Sequence, residues 1–280
     1  MFRVKEAKLL QEVNEINMAQ VNIITLTTDW GPRDHYAGVV KGAILSKLPE
    51  ARIVDITHQI PPFNVKQASF ILRNSFPHFP DGTVHIVGVN TEESELTPHI
   101  ALLYRNHYFI GADNGIFTLM FDGLPDKIVE LTIPQDSGHF IFSTRDRFVK
   151  AAVHLATGKP VEELGDVRNE LKALISMQPQ INGNIISGRV IYIDNYENVF
   201  LNITEKEFLE TGMRRRFSLN IKGKTHPVNV VRNAYSDVPE GEIAVLFSTT
   251  GYLEIAINKG NASSLLGLRN DDVVLIEFAR

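Results

Sequence analysis

Short apolar runs rich in β-branched residues alternate with helical patterns in the first half of the chain. The runs cover residues 22–27, 52–55 and 83–89. Runs of this length, bounded by turn residues, predict strands that are buried on both faces. Amphipathic spacing predicts helices over residues 65–76 and 147–157. This alternation predicts an α/β domain with a mainly parallel sheet.

The pattern changes after Gly188, where short segments alternate apolar and polar positions and turn residues separate them. One helix is predicted over residues 205–211, among seven strands. The strand segments are RVIYID, NVFLNIT, RFSLNIK, HPVNVVR, EIAVLFS, YLEIAIN and DVVLIEF. Such a series predicts a small all-β, barrel-like domain.

The two patterns predict a domain organisation with four parts. They are a leading segment at 1–20, an α/β domain at 21–170, a linker at 171–182 and a β-barrel domain at 183–280. The leading segment is charged and lacks the apolar core of a signal peptide, so we expect a cytoplasmic protein.

Composition narrows the function classes. The 280 residues carry a net charge of −5, which argues against a nucleic-acid partner. No apolar run approaches membrane-spanning length, so no membrane partner is expected. The chain has no cysteine, which excludes disulfides, thiolate metal sites and a cysteine nucleophile.

The first candidate chemistry lies directly after the first predicted strand, at Asp29 and Trp30. Ligands of open α/β sheets bind outside the carboxyl ends of the strands. The two acceptor oxygens of an Asp suit a diol such as a ribose, and Trp offers a flat apolar wall. An Asp that caps a turn beside a core Trp is an equal alternative.

Common nucleotide and hydrolase motifs are absent from the sequence. It has neither G-x-G-x-x-G nor a P-loop after the first strand, and no G-x-S-x-G elbow. Asp29, Asp55 and His58 could form a hydrolytic metal site, but capping or solvated roles explain each of them singly. We therefore predict no metal.

Two loops of the second domain could recognise a base. In the segment 194–198, Tyr196 could stack on a base and the amide of Asn198 could read its edge. Backbone groups of the loop 258–262 could pair with an adenine edge. Ordinary turns are the alternative for both loops.

Five motifs in order carry a family resemblance. They are T-T-D-W-G at 27–31, A-D-N-G at 112–115, F-S-T-R-D at 142–146, I-D-N-Y-E-N at 193–198 and G-Y-L-E-I-A-I-N-K-G-N-A at 251–262. Together they resemble the S-adenosylmethionine (SAM) hydroxide adenosyltransferase family, which is related to the SAM-dependent fluorinase and chlorinase. The likeness runs from about Asn22 to the C-terminus.

The resemblance implies a fold, an assembly and a reaction. It implies an N-terminal α/β domain, a C-terminal β-barrel and a homotrimer with the site at the subunit interface. The small-molecule substrate would be SAM, with no further cofactor. A nucleophile would attack the ribose C5′, and methionine would leave as a neutral thioether. Water or hydroxide would give adenosine and L-methionine, and halide a halogenated adenosine.

The resemblance also implies roles for individual residues. Asp29 would take the ribose hydroxyls, Phe63 would pack on the ribose, and Asp194 would hold the methionine ammonium. Tyr196 and Asn198 would lie at the adenine. The remaining predicted substrate contacts are Trp30 as an apolar wall, Thr249 and Thr250 near the methionine carboxylate, and the backbone around Ile257 and Lys259 at the adenine.

Three positions depart from the family pattern. Asn90, Thr97 and Ser143 stand where hydroxide-using members carry an Asp, an Arg and a His. An Asn cannot act as a base, and neither Thr nor Ser replaces a guanidinium or an imidazole. We expect Asn90, Ser143 and Thr144 to line the nucleophile pocket, with Glu93 (or Glu92) as the substitute general base.

Three alternatives to a SAM hydrolase follow from these departures and from the acidic residues. One is a SAM- or adenosine-binding protein without turnover. Another is a halogenase-like enzyme with a different nucleophile. The third is a metal-dependent phosphohydrolase that uses Asp29, Asp55 and His58.

Overall fold

The computed structural model describes residues 22–135, 141–213 and 215–279, so the predicted leading segment at 1–20 lies outside the described residues. Contacts divide the chain into two compact units, with the division between Ile175 and Ser176. Within the described ranges, no helix has the length and apolar character needed to span a bilayer.

The first unit contains a seven-stranded sheet in the order β2-β1-β3-β5-β4-β6-β7. Its strands are β1 (Ile23–Thr28), β2 (Arg52–Thr57), β3 (Val84–Gly88), β4 (His99–Tyr104), β5 (His107–Ala112), β6 (Lys127–Leu131) and β7 (Gly165–Arg168). Its helices are α1 (Tyr36–Lys47), α2 (Val65–Ser75), α3 (Ile116–Met120) and α4 (Val149–Ala156), the last preceded by a π-helical turn over Thr144–Phe148.

The prediction of a mainly parallel sheet was wrong, because this sheet is mixed. Strands β2, β1, β3 and β5 run parallel, whereas β4, β6 and β7 pair antiparallel with their neighbours. The cause is the two-residue turn at Arg105 and Asn106, both at positive φ, which joins β5 to β4 as a hairpin. The parallel character is thus confined to the half of the sheet that holds β1 and β3.

Apolar side chains cover both faces of this sheet. On one face Ile24, Leu26 and Ile86 pack in a core with α1 and α4. On the other face Leu102 and Phe109 pack in a core with α2 and α3. Because both faces are covered over β1 and β3, polar groups of these two strands are accessible only where the strands end, whereas β2 at the margin of the sheet is more exposed.

The second unit is an antiparallel sheet that curls into a half-barrel, with the strand order β12-β11-β15-β9-β10-β14-β13 and β8 paired to β9. Its strands are β8 (Gln180–Asn182), β9 (Ile185–Ile193), β10 (Val199–Thr204), β11 (Phe217–Ile221), β12 (Lys224–His226), β13 (Ile243–Phe247), β14 (Tyr252–Ile257) and β15 (Val273–Phe278). Its helices are α5 (Glu205–Gly212), which begins with a capping box at Thr204, and α6 (Ala262–Leu266).

The strand predicted over HPVNVVR is mostly absent. Strand β12 ends at His226, and residues 227–231 have no strand structure. Pro227 has no N–H to donate to a ladder, which explains why the strand ends before it although apolar and polar residues alternate after it.

A buried histidine in the first unit makes its stability depend on pH. His85 lies on β3, bonded to Thr25 Oγ1 at 2.7 Å and to His107 Nδ1 at 3.2 Å. Burial, and secondarily His107, lower the pKa of His85 from 6.5 to about 3. Between these two pKa values the unfolded chain binds a proton at His85 that the folded chain does not bind. The contribution of neutral His85 to the free energy of unfolding is therefore complete above pH 6.5 and is lost as the pH falls toward 3.

We expect the free energy of unfolding to fall by roughly 2 kcal/mol through His85 alone between pH 7 and pH 5. Urea unfolding at the two pH values measures the change, and the non-titrating variant His85→Gln should show a smaller loss. The same loss in both proteins would contradict this role of His85.

Candidate active site

The carboxyl ends of β1, β2 and β3 meet at one edge of the first sheet. Because these strands are parallel and in register, Thr28 lies beside Gly88 and Thr27 beside Thr57. The segments that leave this edge carry most of the polar residues predicted for the first domain. We call it the carboxyl edge.

Asp29 and Phe63 are in contact at the carboxyl edge. One carboxylate oxygen of Asp29 accepts the backbone N–H of Phe63 at 2.9 Å, and its other oxygen has no partner among the described residues. Phe63 has a φ of +64° and a side chain that is 71% exposed. A strained backbone that presents an exposed aromatic ring is typical of ligand sites. Asp29 thus fixes a turn and still retains an acceptor.

Trp30 lies in an aromatic group beside Asp29. Its ring stacks on His58 at 6.2 Å between centroids, meets Phe142 edge-on at 5.8 Å and lies 6.2 Å from Tyr36. Gly88 leaves room for this ring, because a Cβ there would lie 2.9 Å from Trp30 Cζ2. The half-buried indole therefore forms one fixed wall of the carboxyl edge.

We expect Gly88→Ala to displace Trp30, since the added methyl group overlaps a ring that its neighbours hold in place. The expected results are a shifted fluorescence emission, which reports on this ring because Trp30 is the only tryptophan, and a loss of about 1–3 kcal/mol in the free energy of unfolding. The matched control is Gly42→Ala in α1, where a Cβ meets nothing within 4 Å. An unchanged emission in Gly88→Ala would contradict the packing.

Asp29, Asp55 and His58 do not form a three-residue metal site, although Asp55 and His58 contact each other. His58 Nδ1 bonds Thr28 Oγ1 at 2.7 Å, and His58 Nε2 lies 3.1 Å from Asp55. Partial burial raises the pKa of Asp55, but the Lys41 ammonium and His58 outweigh it and hold that pKa below its ordinary value. Within the described ranges no three metal-ligating side chains cluster, and the Asp29 carboxylate instead binds Phe63.

The loop after β3 carries the first of the three departures. Asn90 adopts a left-handed φ of +48°, and its carbonyl accepts the side-chain amide of Asn114 at 3.0 Å. The same amide binds the carbonyl of Val89. The A-D-N-G motif therefore fixes the loop backbone. The Thr97 hydroxyl forms a hydrogen bond of 2.6 Å with the Ser94 hydroxyl within a turn.

Ser143 and Thr144 begin the π-helical turn before α4, which packs against β3. Both are buried, and the Ser143 hydroxyl accepts the amide of Gln135 at 3.2 Å. Asp146, 1% exposed, forms a two-pronged ion pair with Arg145. The polar side chains of Ser143 and Asp146 in the F-S-T-R-D motif thus bond to other residues of the first unit.

Sequence reasoning missed Arg147 and His99, which contact the predicted base. Arg147 Nη1 donates to Glu93 Oε1 and lies 3.0 Å from His99 Nδ1. The available signal was an arginine in the π-helical turn directly before Phe148 and Val149, which are fully buried. Nothing in the sequence indicated that Arg147 would pair with Glu93, which lies 54 residues earlier in a polar loop.

In the second unit, Asp194 organises the loop between β9 and β10. One of its oxygens accepts the N–H groups of Tyr196 and Asn198, and the other accepts the Asn198 amide at 3.1 Å. The turn alternative is therefore correct for the local geometry. It leaves the Tyr196 ring 76% exposed, as a base-stacking surface requires.

A hydrogen-bonded pair, Tyr235 and Glu254, lies near Asp194, and sequence reasoning missed both residues. Tyr235 donates its hydroxyl to Glu254 at 2.8 Å, and Glu254 is 1% exposed. Burial raises the pKa of Glu254; Tyr235 lowers it, while the Asp194 charge raises it further. Among the described residues, no salt bridge neutralises either carboxylate.

The other predicted contacts of the second unit lie in two loops around β14. Thr249 is exposed, and the Thr250 hydroxyl pairs with Ser248. Ile257 is buried at the end of β14, and Lys259, at a φ of +53°, forms an ion pair with Glu240. The turn that contains Ile257 and Lys259 closes through a Gly260 N–H to Ile257 carbonyl bond of 2.9 Å.

The fold and these loops define a two-unit, small-molecule-binding class of protein. The α/β unit presents a carboxylate and aromatic rings at the carboxyl edge, and the β unit presents loops with acidic and aromatic side chains. Family models agree. The SAM hydroxide adenosyltransferase N-terminal domain matches residues 24–165, and the corresponding C-terminal domain matches residues 188–275. The chain belongs to the SAM hydroxide adenosyltransferase family, which confirms the resemblance.

Curated relatives and a solved structure support this membership. The chain is 31% identical over 265 residues to an (R)-S-adenosyl-L-methionine hydrolase from Salinispora arenicola, covering 91% of this chain and 97% of the relative. It is 22% identical over 270 residues to a fluorinase from Actinoplanes, covering 84% and 91%. A crystal structure of an uncharacterized conserved protein from Thermotoga maritima shares 33% identity and a TM-score of 0.84, covering 91% and 99%.

Proposed function

We propose that this protein cleaves SAM by attack of water or hydroxide at the ribose C5′, giving adenosine and L-methionine. The observation that carries the proposal is Asp29, which keeps one free acceptor oxygen beside the exposed ring of Phe63. A carboxylate acceptor next to an aromatic face suits a ribose, whose hydroxyls are donors and whose ring carbons are apolar.

The loops of the second unit would hold the two ends of SAM. No salt bridge pairs with Asp194 or Glu254 among the described residues, and two neighbouring acids without a cation favour a group such as the methionine ammonium. The exposed ring of Tyr196 and the Asn198 amide would meet the adenine. Thr249 and Thr250 would lie near the methionine carboxylate, with backbone around Ile257 and Lys259 at the adenine edge.

We propose further that the two kinds of loop meet between subunits of a homotrimer, as family membership suggests. Light scattering after size-exclusion chromatography would measure the assembly, and a monomer with full activity would contradict it. The cytoplasmic location stays a prediction from the sequence.

The sulfonium is already a good leaving group, so the protein has to position, desolvate and activate the attacking water. Asn90, Ser143 and Thr144 would line the nucleophile pocket. Glu93 would accept the proton of the attacking water.

The test is to incubate the purified protein with each sulfonium epimer of SAM and to follow adenosine and methionine by chromatography. We expect both products, with the R epimer preferred because the curated hydrolases carry that configuration in their names. Reaction in ¹⁸O-water should place one ¹⁸O atom in adenosine. Tight binding without products would favour the binding protein, and a halogenated adenosine in fluoride or chloride would favour the halogenase.

A further inference from the structure

A partly buried charged cluster joins the loop after β3 to the π-helical turn that follows Ser143. It consists of Glu93 in the loop, His99 at the start of β4 and Arg147 in the π-helical turn, and we call it the Glu93–Arg147–His99 cluster. His99 is fully buried and the Arg147 side chain is 12% exposed, whereas Glu93 is 37% exposed. Only the acid therefore has substantial access to solvent.

The contacts of His99 define its protonation. His99 Nε2 lies 2.9 Å from the Thr91 carbonyl, which can only accept, so Nε2 carries the hydrogen. Burial lowers the pKa of His99, although the Thr91 bond and Glu93 oppose that shift and Arg147 assists it, so the ring is neutral at pH 7. Nδ1 is then an acceptor for the Arg147 guanidinium. His99 holds Arg147 in place without adding charge.

The contacts of Glu93 leave one oxygen available. Arg147 and His99 both approach Oε1, while Oε2 has no partner among the described residues. The other acids of this loop, Glu92 and Glu95, are exposed as Glu93 is, but Glu93 is the acid that contacts Arg147. A carboxylate anchored through one oxygen presents the other in a fixed direction, as a general base requires.

The cluster is placed where the nucleophile pocket is expected. Ser143 and Thr144 lie four and three residues before Arg147, so Arg147 belongs to the segment that is expected to line the pocket. Asn90 lies three residues before Glu93 on the other segment.

We propose that Arg147 and His99 are positioning residues that hold Glu93 as the general base of this reaction, an inference that rests on the proposed function. Glu93 Oε2 takes a proton from the water whose oxygen forms the new bond to C5′. The C5′–S bond breaks, its electron pair stays on sulfur, and methionine leaves uncharged. The proton on Glu93 returns to solvent after adenosine departs.

Arg147→Met tests the role of the guanidinium. We expect kcat to fall about 10²-fold with KM changed less than threefold, because the Glu93 carboxylate loses the contact that holds it in one direction. Arg147→Lys should recover part of kcat. The control is Arg73→Met, which removes a surface ion pair with Asp122 and should leave both constants unchanged.

Two variants of His99 separate its two hydrogen bonds. Asn can accept from Arg147 at the position of Nδ1, whereas Gln can donate to Thr91 at the position of Nε2. If His99 acts through Arg147, His99→Asn keeps more of kcat than His99→Gln. The reverse order, with kcat following thermal stability, would show a loop tie and overturn the proposal.

A double-variant cycle identifies the path of the effect. If Arg147 acts through Glu93, Arg147→Met should add little to the loss caused by Glu93→Gln. A Glu93→Gln protein with full kcat, or additive losses, would overturn the positioning role while wild-type cleavage of SAM continues. A wild-type protein that leaves both epimers of SAM intact would instead contradict the proposed function itself.

Discussion

Asp29→Asn should raise KM for SAM about 10²-fold while leaving the fold intact. The amide oxygen of Asn can still accept the Phe63 N–H, so the turn is kept. The lost partner is the free carboxylate oxygen, and a hydrogen bond to a charged group contributes about 1.5–3 kcal/mol. Steady-state kinetics and the SAM dissociation constant measure the effect.

Asp29→Ala is the comparison variant, because it also removes the bond to Phe63. We expect it to bind no better than Asp29→Asn and to unfold at a lower temperature. If Asp29→Asn binds SAM as the wild type does, Asp29 is a turn residue only, and the ribose contact lies elsewhere.

Glu93→Gln should lower kcat by 10²- to 10⁴-fold, the usual range for loss of a general base, with little change in SAM binding. The amide keeps the size of the side chain but cannot take a proton. Rapid-quench measurement of the first turnover, together with a pH profile, distinguishes slow chemistry from slow product release.

The control for Glu93→Gln is Glu92→Gln in the same loop. It tests the alternative base and the effect of a lost charge. Unchanged turnover and an unchanged pH profile in Glu93→Gln would rule out Glu93 as the base, and a loss confined to Glu92→Gln would transfer the role to Glu92.

Local signals were sufficient where a segment's own residues determine its structure. The β-branched run before Asp29 forms β1, buried on both faces as expected. The β4–β5 hairpin is likewise local, because its turn consists of Arg105 and Asn106, both at positive φ. The sheet direction failed because that same hairpin reverses the chain, which a count of alternating strands and helices does not register.

The site was less predictable than the fold, since its contacts join distant segments. Asp29 and Trp30 carried a signal because a strand end is recognisable in sequence. Arg147 carried little, because a charged residue in a helix is usually solvated, and its burial depends on a loop 54 residues earlier. The exposed, strained backbone of Phe63 likewise arises from Asp29, 34 residues earlier.

The guanidinium of Arg147 has a consequence for how relatives of this chain are compared. By the family resemblance, Asn90, Thr97 and Ser143 stand where an acid, a cation and an imidazole are expected, and a comparison by aligned position would class the chain as inactive. In space it owns an acid, a cation and an imidazole in mutual contact, contributed by positions 93, 147 and 99. The proposed base and its positioning residues therefore supply the same three kinds of group from other positions of the chain, so relatives of this chain should be compared by superposed side chains.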